Sequence, residues 1–242
     1  MKLINPDWLV ASKVKAIQTT RFGGYSQPPY DSLNLAMHVA DDPAVVRKNR
    51  QLLKEQLSLP SEPLWLNQVH GTQVADELSK SECDADAFYT DLPNQVGVVM
   101  TADCLPVFMA AEDGSEVAIA HAGWRGLLNG VIENTLAKFK SPMKQISVWL
   151  GPAIGPEKFE VGEEVFIAFD CPRAFTPINE NINQSDLFDS KAAAKTASAD
   201  TQSLPHRRES KYLADIYQLA SHRLNKLGVH KVSGGEFCTF SQ

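Results

Sequence analysis

The stretch CLPVFMAAEDGSEVAIAHAG, residues 104–123, decides the fold. Two apolar runs, LPVFMAA and EVAIAHA, flank Asp113-Gly114, a dipeptide favoured in the tight turn between antiparallel strands. If the hairpin is centred on that dipeptide, His121 faces Pro106 and Gly123 faces Cys104. Side chains alternate between the two faces of a strand, so Cys104 and His121 share a face as diagonal neighbours. Their Cβ atoms then lie about 7 Å apart or a little less. That is within reach of one metal ion at roughly 2.3 Å from sulfur and 2.0 Å from nitrogen. The inference depends on register, because a slip of one residue moves one partner to the other face. Pro106 has no N–H to donate and requires a strand end, an edge or a bulge nearby.

Cys104 has two readings at this point: a core thiol, since free cysteine is among the most buried residue types, or a ligand or nucleophile. Asp103 is harder to place in core, because an unpaired buried carboxylate costs several kcal/mol or takes up a proton. On a regular strand it points away from Cys104. That suits Asp103 to a supporting or general-base role reached through a local bend rather than to direct ligation. A second histidine, His70 in WLNQVHGTQV, precedes Gly71 at an expected strand–turn junction, where side chains commonly line sites. Three ligands, His70, Cys104 and His121, leave a fourth tetrahedral position open, as in catalytic zinc sites. Zinc is the first expectation, and copper is compatible with two imidazoles and a thiolate. The rival is a Cys–His hydrolase with Cys104 as thiolate and His121 as base.

Working outward, residues 42–58 begin with Asp and Pro43 and carry apolar residues at 45, 46, 52, 53 and 57, the pattern of an amphipathic helix. Residues 126–140 and 211–227 have the same periodicity, the latter ending at Gly228. VGVVMTA, LPVFMAA, EVAIAHA and ISVWLG read as strands. Strands followed by helices without regular βαβ alternation predict an α+β domain with mixed sheets. Residues 178–210 are polar, rich in Ala, Ser and Asp, and read as a surface insertion without catalytic function, His206 included.

The chain has 242 residues, 43% hydrophobic and 21% charged, with a net charge of −6. These values fit one globular domain spanning 1–242 and argue against nonspecific nucleic-acid binding, which rests on Lys and Arg. No segment approaches the roughly 20 apolar residues of a membrane span or the length of a signal peptide's apolar core, so a cytoplasmic location without membrane contact is expected. The four cysteines, at 83, 104, 171 and 238, show no CxxC pairing and read as reduced thiols.

The strings TRFGGYSQPPYDSLNLAMHVADDP, WLNQVHGTQV, TADCLPVF, AHAGWRG and LGPAIGPEKFEVG, with KYLADIYQLA and GGEFCT further on, resemble the YfiH-type laccase-domain family. That family is also called the polyphenol oxidase or purine nucleoside phosphorylase family and, in bacteria, peptidoglycan editing factor. The resemblance implies an α/β/β/α sandwich of mixed sheets and a metal held by His70, Cys104 and His121. It also implies phosphorolysis of adenosine, inosine and methylthioadenosine, and deamination of adenosine. Copper-dependent oxidation of phenols and editing of peptidoglycan precursors have been assigned to members as well. A conventional multicopper centre needs many paired His-x-His imidazoles, whereas this chain has six histidines and no such pair.

For a purine nucleoside and phosphate as small-molecule partners, Arg21 in TTRFGG and Arg125 in HAGWRG are the phosphate-clamp candidates. The guanidinium binds oxyanions through two hydrogen bonds, and Arg125 opens a helix whose N–H groups add to anion binding. Gln68 and Asn34 are secondary candidates for substrate hydrogen bonds. Trp124 is read as packing, and His38 as a loop residue that either lines the pocket or is solvated. The family pattern continues past GGEFCT into an aromatic strand and an arginine pair, where this chain reads CTFSQ. With that shortened C-terminus the expectation is a pocket lacking one wall, and a binding protein without activity is a further reading.

Overall fold

The computed structural model describes residues 1–178 and 210–242. In chain order the elements are β1 (Leu3–Ile4), β2 (Gln18–Thr19), α1 (Pro43–Gln56), β3 (Val74–Ala75), β4 (Ala87–Thr90), β5 (Leu105–Ala111) and β6 (Val117–Ala122). There follow α2 (Trp124–Asn129), α3 (Val131–Leu136), β7 (Ile146–Leu150), β8 (Glu160–Gly162), α4 (Glu163–Ala168), β9 (Phe175–Pro177), β10 (Lys211–Ala214), α5 (Ile216–Lys226) and β11 (Lys231–Gly234). The fold is α+β, built on a mixed six-stranded sheet of order β11-β7-β5-β6-β4-β3. Its outer pairs β11–β7 and β3–β4 are parallel and its inner pairs antiparallel. A three-stranded sheet, β8-β10-β9, and the pair β1-β2 complete it.

The β5–β6 hairpin has the register expected from its turn, with Pro106 facing His121. Gly114, at φ +71, supplies the left-handed residue of the turn. Pro106 is tolerated in this central strand because it lies one residue outside the β5–β7 ladder, which starts at Val107–Leu150. The period-2 alternation divides the sheet cleanly. Leu105, Val107 and Met109, with Ala118, Ala120 and Ala122, pack against Leu127, Val131, Ile132 and Leu136 of α2 and α3 and Leu219 and Leu224 of α5. Each fully buried Leu, Ile or Val contributes roughly 1.5–3 kcal/mol. The opposite face carries Phe108, edge-on to both Trp8 and Trp149, and Phe88 packed with Leu66.

Three expectations change. Residues 211–227 form a strand and a helix rather than one helix. Tyr212 and Ala214 are buried with period 2, and Asp215 then caps α5 by accepting the Gln218 N–H at 3.0 Å. The helix expected over 126–140 starts at Trp124 and breaks at Gly130, which adopts φ +101 between α2 and α3. VGVVMTA is not a strand; it makes a single bridge, Gly97 to Leu64. Gly97 lies on the Phe88 ring, where a Cβ would come within 2.1 Å of a ring carbon, so the segment covers the sheet as an irregular layer. The insertion read at 178–210 lies, apart from its end residues, outside the described residues, as does His206.

Glu116, 5% exposed, ties the hairpin to the segment after α3. Its carboxylate accepts from the Tyr89 hydroxyl at 2.7 Å, the Lys140 N–H at 2.7 Å, the Ser141 N–H at 2.9 Å and the Ser141 hydroxyl. Burial raises its pKa, but these donors win and hold it below the ordinary value. Stability from this group is therefore present above the unfolded carboxylate range and is lost as pH falls through the lower folded value. Glu116→Ala is expected to cost about 3 kcal/mol or more, because it strands several buried donors at once. Urea denaturation at neutral pH measures this, and a loss below 1 kcal/mol would show that the donors find other partners.

Candidate metal centre

His121 leaves β6 on the face away from α2 and α3, and Cys104 sits in the bend that opens β5. His70 comes from the loop before β3. The three candidate donor atoms of His70, Cys104 and His121 lie within 4.8 Å of one another. Cys104 Sγ is 3.9 Å from His70 Nε2, and the two imidazoles meet nearly edge to face, with centroids 4.8 Å apart. Among the described residues this is one cluster of at least three such groups.

The residue that organises the cluster is Asp86, just before β4, which sequence reasoning missed. It is fully buried, and its Oδ1 lies 2.8 Å from His121 Nδ1. The same carboxylate accepts three consecutive backbone N–H groups, from Val69 at 3.2 Å, His70 at 3.0 Å and Gly71 at 2.6 Å. This concave N–H cradle requires the left-handed His70, at φ +57, an uncommon conformation for a non-glycine residue. One carboxylate thus orients His121 through its side chain and His70 through its backbone. Burial opposes the charge of Asp86, yet the His121 hydrogen bond and the backbone N–H groups pull its pKa down.

Burial pushes the His121 pKa down, but hydrogen bonds to Asp86 and Cys104 outweigh it and raise the value to about 9. His70 goes the other way, lowered by burial first and then by the charge of His121. With Nδ1 of His121 bonded to Asp86, Nε2 is the nitrogen left for a metal. This is the imidazole–carboxylate support found behind metal-bound histidines. Two imidazole nitrogens and a thiol suit zinc or copper.

Gly123 is required by space and not by φ, which is −62°. A Cβ there would lie 2.9 Å from both Cys104 Sγ and His70 Cδ2. At Gly126 it would approach the Gly71 carbonyl oxygen at 3.0 Å, so this glycine lets α2 close onto the His70 loop. Gly123→Ala is therefore expected to keep the fold and lose about tenfold or more in metal affinity, from roughly 1–3 kcal/mol of overpacking against the ligands. A chelator competition titration with circular dichroism measures both, and unchanged affinity would mean the ligands move aside freely.

The other expected site residues are in different states. Asp103 is exposed, accepts from the Thr239 hydroxyl at 2.7 Å and is outside the ligand group. Gln68 uses both ends of its amide on the Met100 backbone, donating at 2.8 Å and accepting at 2.7 Å. Asn34 donates to Asp41 at 2.9 Å and accepts from the Ala36 N–H at 3.0 Å. Arg21 is committed to the Asp31 carbonyl at 2.7 Å and the Asp31 carboxylate at 3.2 Å. Arg125 is exposed beside its neighbour Trp124, 4.3 Å from the ring centroid, and its charge reaches His70. Trp124 packs on the core.

A mixed-sheet α+β fold thus presents a His-Cys-His cluster, supported by a buried carboxylate, whose three donors could hold a metal ion. The model of the multi-copper polyphenol oxidoreductase laccase family matches residues 15–242, and the chain belongs to that family. It is 45% identical over its whole length to the Escherichia coli K12 protein named purine nucleoside phosphorylase YfiH, covering 90% of that protein. It is 43% identical to a Haemophilus influenzae purine nucleoside phosphorylase, again over its whole length and 91% of the relative. The crystal structure of Neisseria meningitidis protein NMB0706 superposes with a TM-score of 0.82 at 40% identity, over 98% of this chain and 88% of that one.

Proposed function

We propose that the protein is a metal-dependent purine nucleoside enzyme in which His70, Cys104 and His121 hold one ion, zinc before copper. The observation that carries this reading is the convergence of the three donors over the buried Asp86. The names of its relatives in Escherichia coli and Haemophilus influenzae support purine nucleosides as substrates. The substrates are adenosine, inosine and methylthioadenosine with phosphate, and adenosine with water for deamination. One cluster among the described residues, and no His-x-His pair in the chain, weigh against a multicopper mechanism.

A bound ion supplies Lewis acidity and water made acidic enough to act near neutral pH, which is what attack at a purine C6 needs. The rest belongs to the chain. Asp86 holds the proton on His121 Nδ1 and keeps that ring in one tautomer and one orientation. Arg125, exposed at the start of α2, places positive charge beside His70 for an electron-rich substrate. Gln68 locks the loop carrying His70 to the segment leading to Cys104, and Asn34 and Arg21 shape the neighbouring loop. Asp103 holds the C-terminal segment through Thr239 and lies next in sequence to Cys104, where it positions the ligand.

Metal content of the purified protein, followed by incubation with adenosine with and without phosphate, tests the reading. The expected products are ribose 1-phosphate and adenine with phosphate, and inosine without it. Neither product from metal-replete protein overturns the reading. Activity retained in a metal-free Cys104→Ala variant would sink the metal mechanism.

A further inference from the structure

A cavity of about 290 Å³ has His38, Arg50, Trp65, Asn67, Glu82 and Met100 on its walls. Asn67 is three residues before His70, and Met100 four before Cys104. Chain reach places the cavity walls within roughly 11 and 14 Å of those ligands' Cα atoms. The Gln68–Met100 hydrogen bonds fasten the two segments that carry these wall residues and lead to His70 and Cys104.

Arg50, on α1, has one face and one nitrogen committed. Its Nε donates to the Leu35 carbonyl at 2.9 Å, and its guanidinium lies 3.9 Å from the Trp65 ring centroid. The terminal NηH₂ groups have no hydrogen-bond partner among the described residues. The preceding residue, Asn49, is fully buried and pins the facing loop, donating to Ser26 Oγ and to the Asn34 carbonyl, both at 2.9 Å. The result is a pre-oriented guanidinium fork at the wall of a cavity, its terminal donors without a hydrogen-bond acceptor among the described residues and its charge felt by Glu82 and Glu62. Burial lowers its pKa, as expected for a partly desolvated cation. Arg21, by contrast, spends its fork on Asp31, and Arg125 is solvated.

Glu82, on the same walls, gives the cavity chemical discrimination. Hydrogen phosphate at neutral pH offers acceptor oxygens to a guanidinium and one P–OH donor to a carboxylate. Sulfate offers only acceptors, so its oxygens face the Glu82 carboxylate with no donor between them.

We propose that this cavity is the phosphate site of the nucleoside reaction, with Arg50 holding the oxyanion and Glu82 accepting its P–OH hydrogen bond. The inference rests on the purine nucleoside reading and assigns its second substrate a place. With phosphate held here, the nucleoside would present its anomeric carbon to this cavity. A phosphate oxygen forms a bond to C1′ as the C1′–N9 bond breaks. The electron pair of that bond goes to the purine nitrogen, which takes the proton given up by phosphate, leaving ribose 1-phosphate and free base.

Calorimetric titration of metal-loaded protein with inorganic phosphate and with sulfate tests this in wild type, Arg50→Gln, Glu82→Gln and Arg125→Gln. Arg50→Gln is expected to weaken phosphate binding by about tenfold or more, since a charge-assisted fork is lost. Metal content, measured on the same samples, is expected to stay at the wild-type level. Glu82→Gln is expected to lower the preference for phosphate over sulfate by about tenfold, because the amide donates to sulfate where the carboxylate repels it. This second variant carries the test if Arg50→Gln fails to fold. Phosphate binding unchanged in Arg50→Gln and lost in Arg125→Gln overturns the inference and leaves the nucleoside reading standing. Wild type that deaminates adenosine yet binds no phosphate does the same. A wild type that turns over no nucleoside at all instead removes the reading on which the inference rests.

Discussion

Asp86→Asn is expected to lower metal affinity by about 10–100-fold, the usual consequence of removing the group behind a metal-bound histidine. The substitution keeps the volume and removes the charge. His121 Nδ1 loses a carboxylate acceptor at 2.8 Å, and the N–H groups of Val69, His70 and Gly71 lose the anion they enclose. An amide oxygen serves one or two of these four donors and not all of them. The left-handed backbone of His70 is then less well held, so two of the three ligands are disturbed by one change. The metal-free protein should also lose about 2–4 kcal/mol, because several buried donors are left short of acceptors. Chelator competition gives the first quantity and urea denaturation of metal-free protein the second. If Asp86→Asn binds metal as tightly as wild type while Cys104→Ala does not, the carboxylate is only a structural anchor.

The parts of this centre that sequence made legible are those set by local geometry. Asp113-Gly114 fixes the turn, the turn fixes the register, and the register places Cys104 and His121 on one face. Helix α1 was legible for the same reason, since Asp42 and Pro43 mark its start and Asp42 does cap it. Asp86 was not legible, because its role depends on β4 pairing with β6 at long sequence separation, with Ala87 opposite Ala120. The available signal was an acid in the small apolar run DADAFYT, the same oddity that drew attention to Asp103. Two such acids precede two strands, and only the pairing distinguishes the one that is buried. The division of 211–227 into β10 and α5 was hidden by a burial pattern of period 2 too short to stand out from a helical one. Arg50 was overlooked because a basic residue on an amphipathic helix normally reads as solvent-facing. Its surroundings in the fold come from the 35–38 loop and Trp65, both distant in sequence.

Metal uptake is expected to weaken about tenfold for each pH unit below roughly 9, amounting to about a thousandfold between pH 9 and pH 6. In the metal-free protein His121 keeps its second proton up to about 9, because the Asp86 and Cys104 hydrogen bonds outweigh burial. An ion at Nε2 must displace that proton, so proton and metal compete across this whole interval. His70, with its pKa lowered by burial and by His121, adds no comparable competition near neutrality. Stability of the metal-free protein runs in the opposite sense. A histidine with its pKa raised from 6.5 to about 9 contributes stability that is fully present below 6.5 and fades as pH rises through 9. Metal-free protein should thus be most favoured where metal binds worst, and stabilisation by metal should grow with pH. Chelator competition at pH 6, 7, 8 and 9, paired with melting curves of both forms, measures the two opposing trends. Asp86→Asn should move the onset of the affinity loss to lower pH, since it removes the acceptor that holds the His121 proton. A pH-independent affinity in wild type would exclude His121 Nε2 as a ligand, whatever the geometry of the three donors.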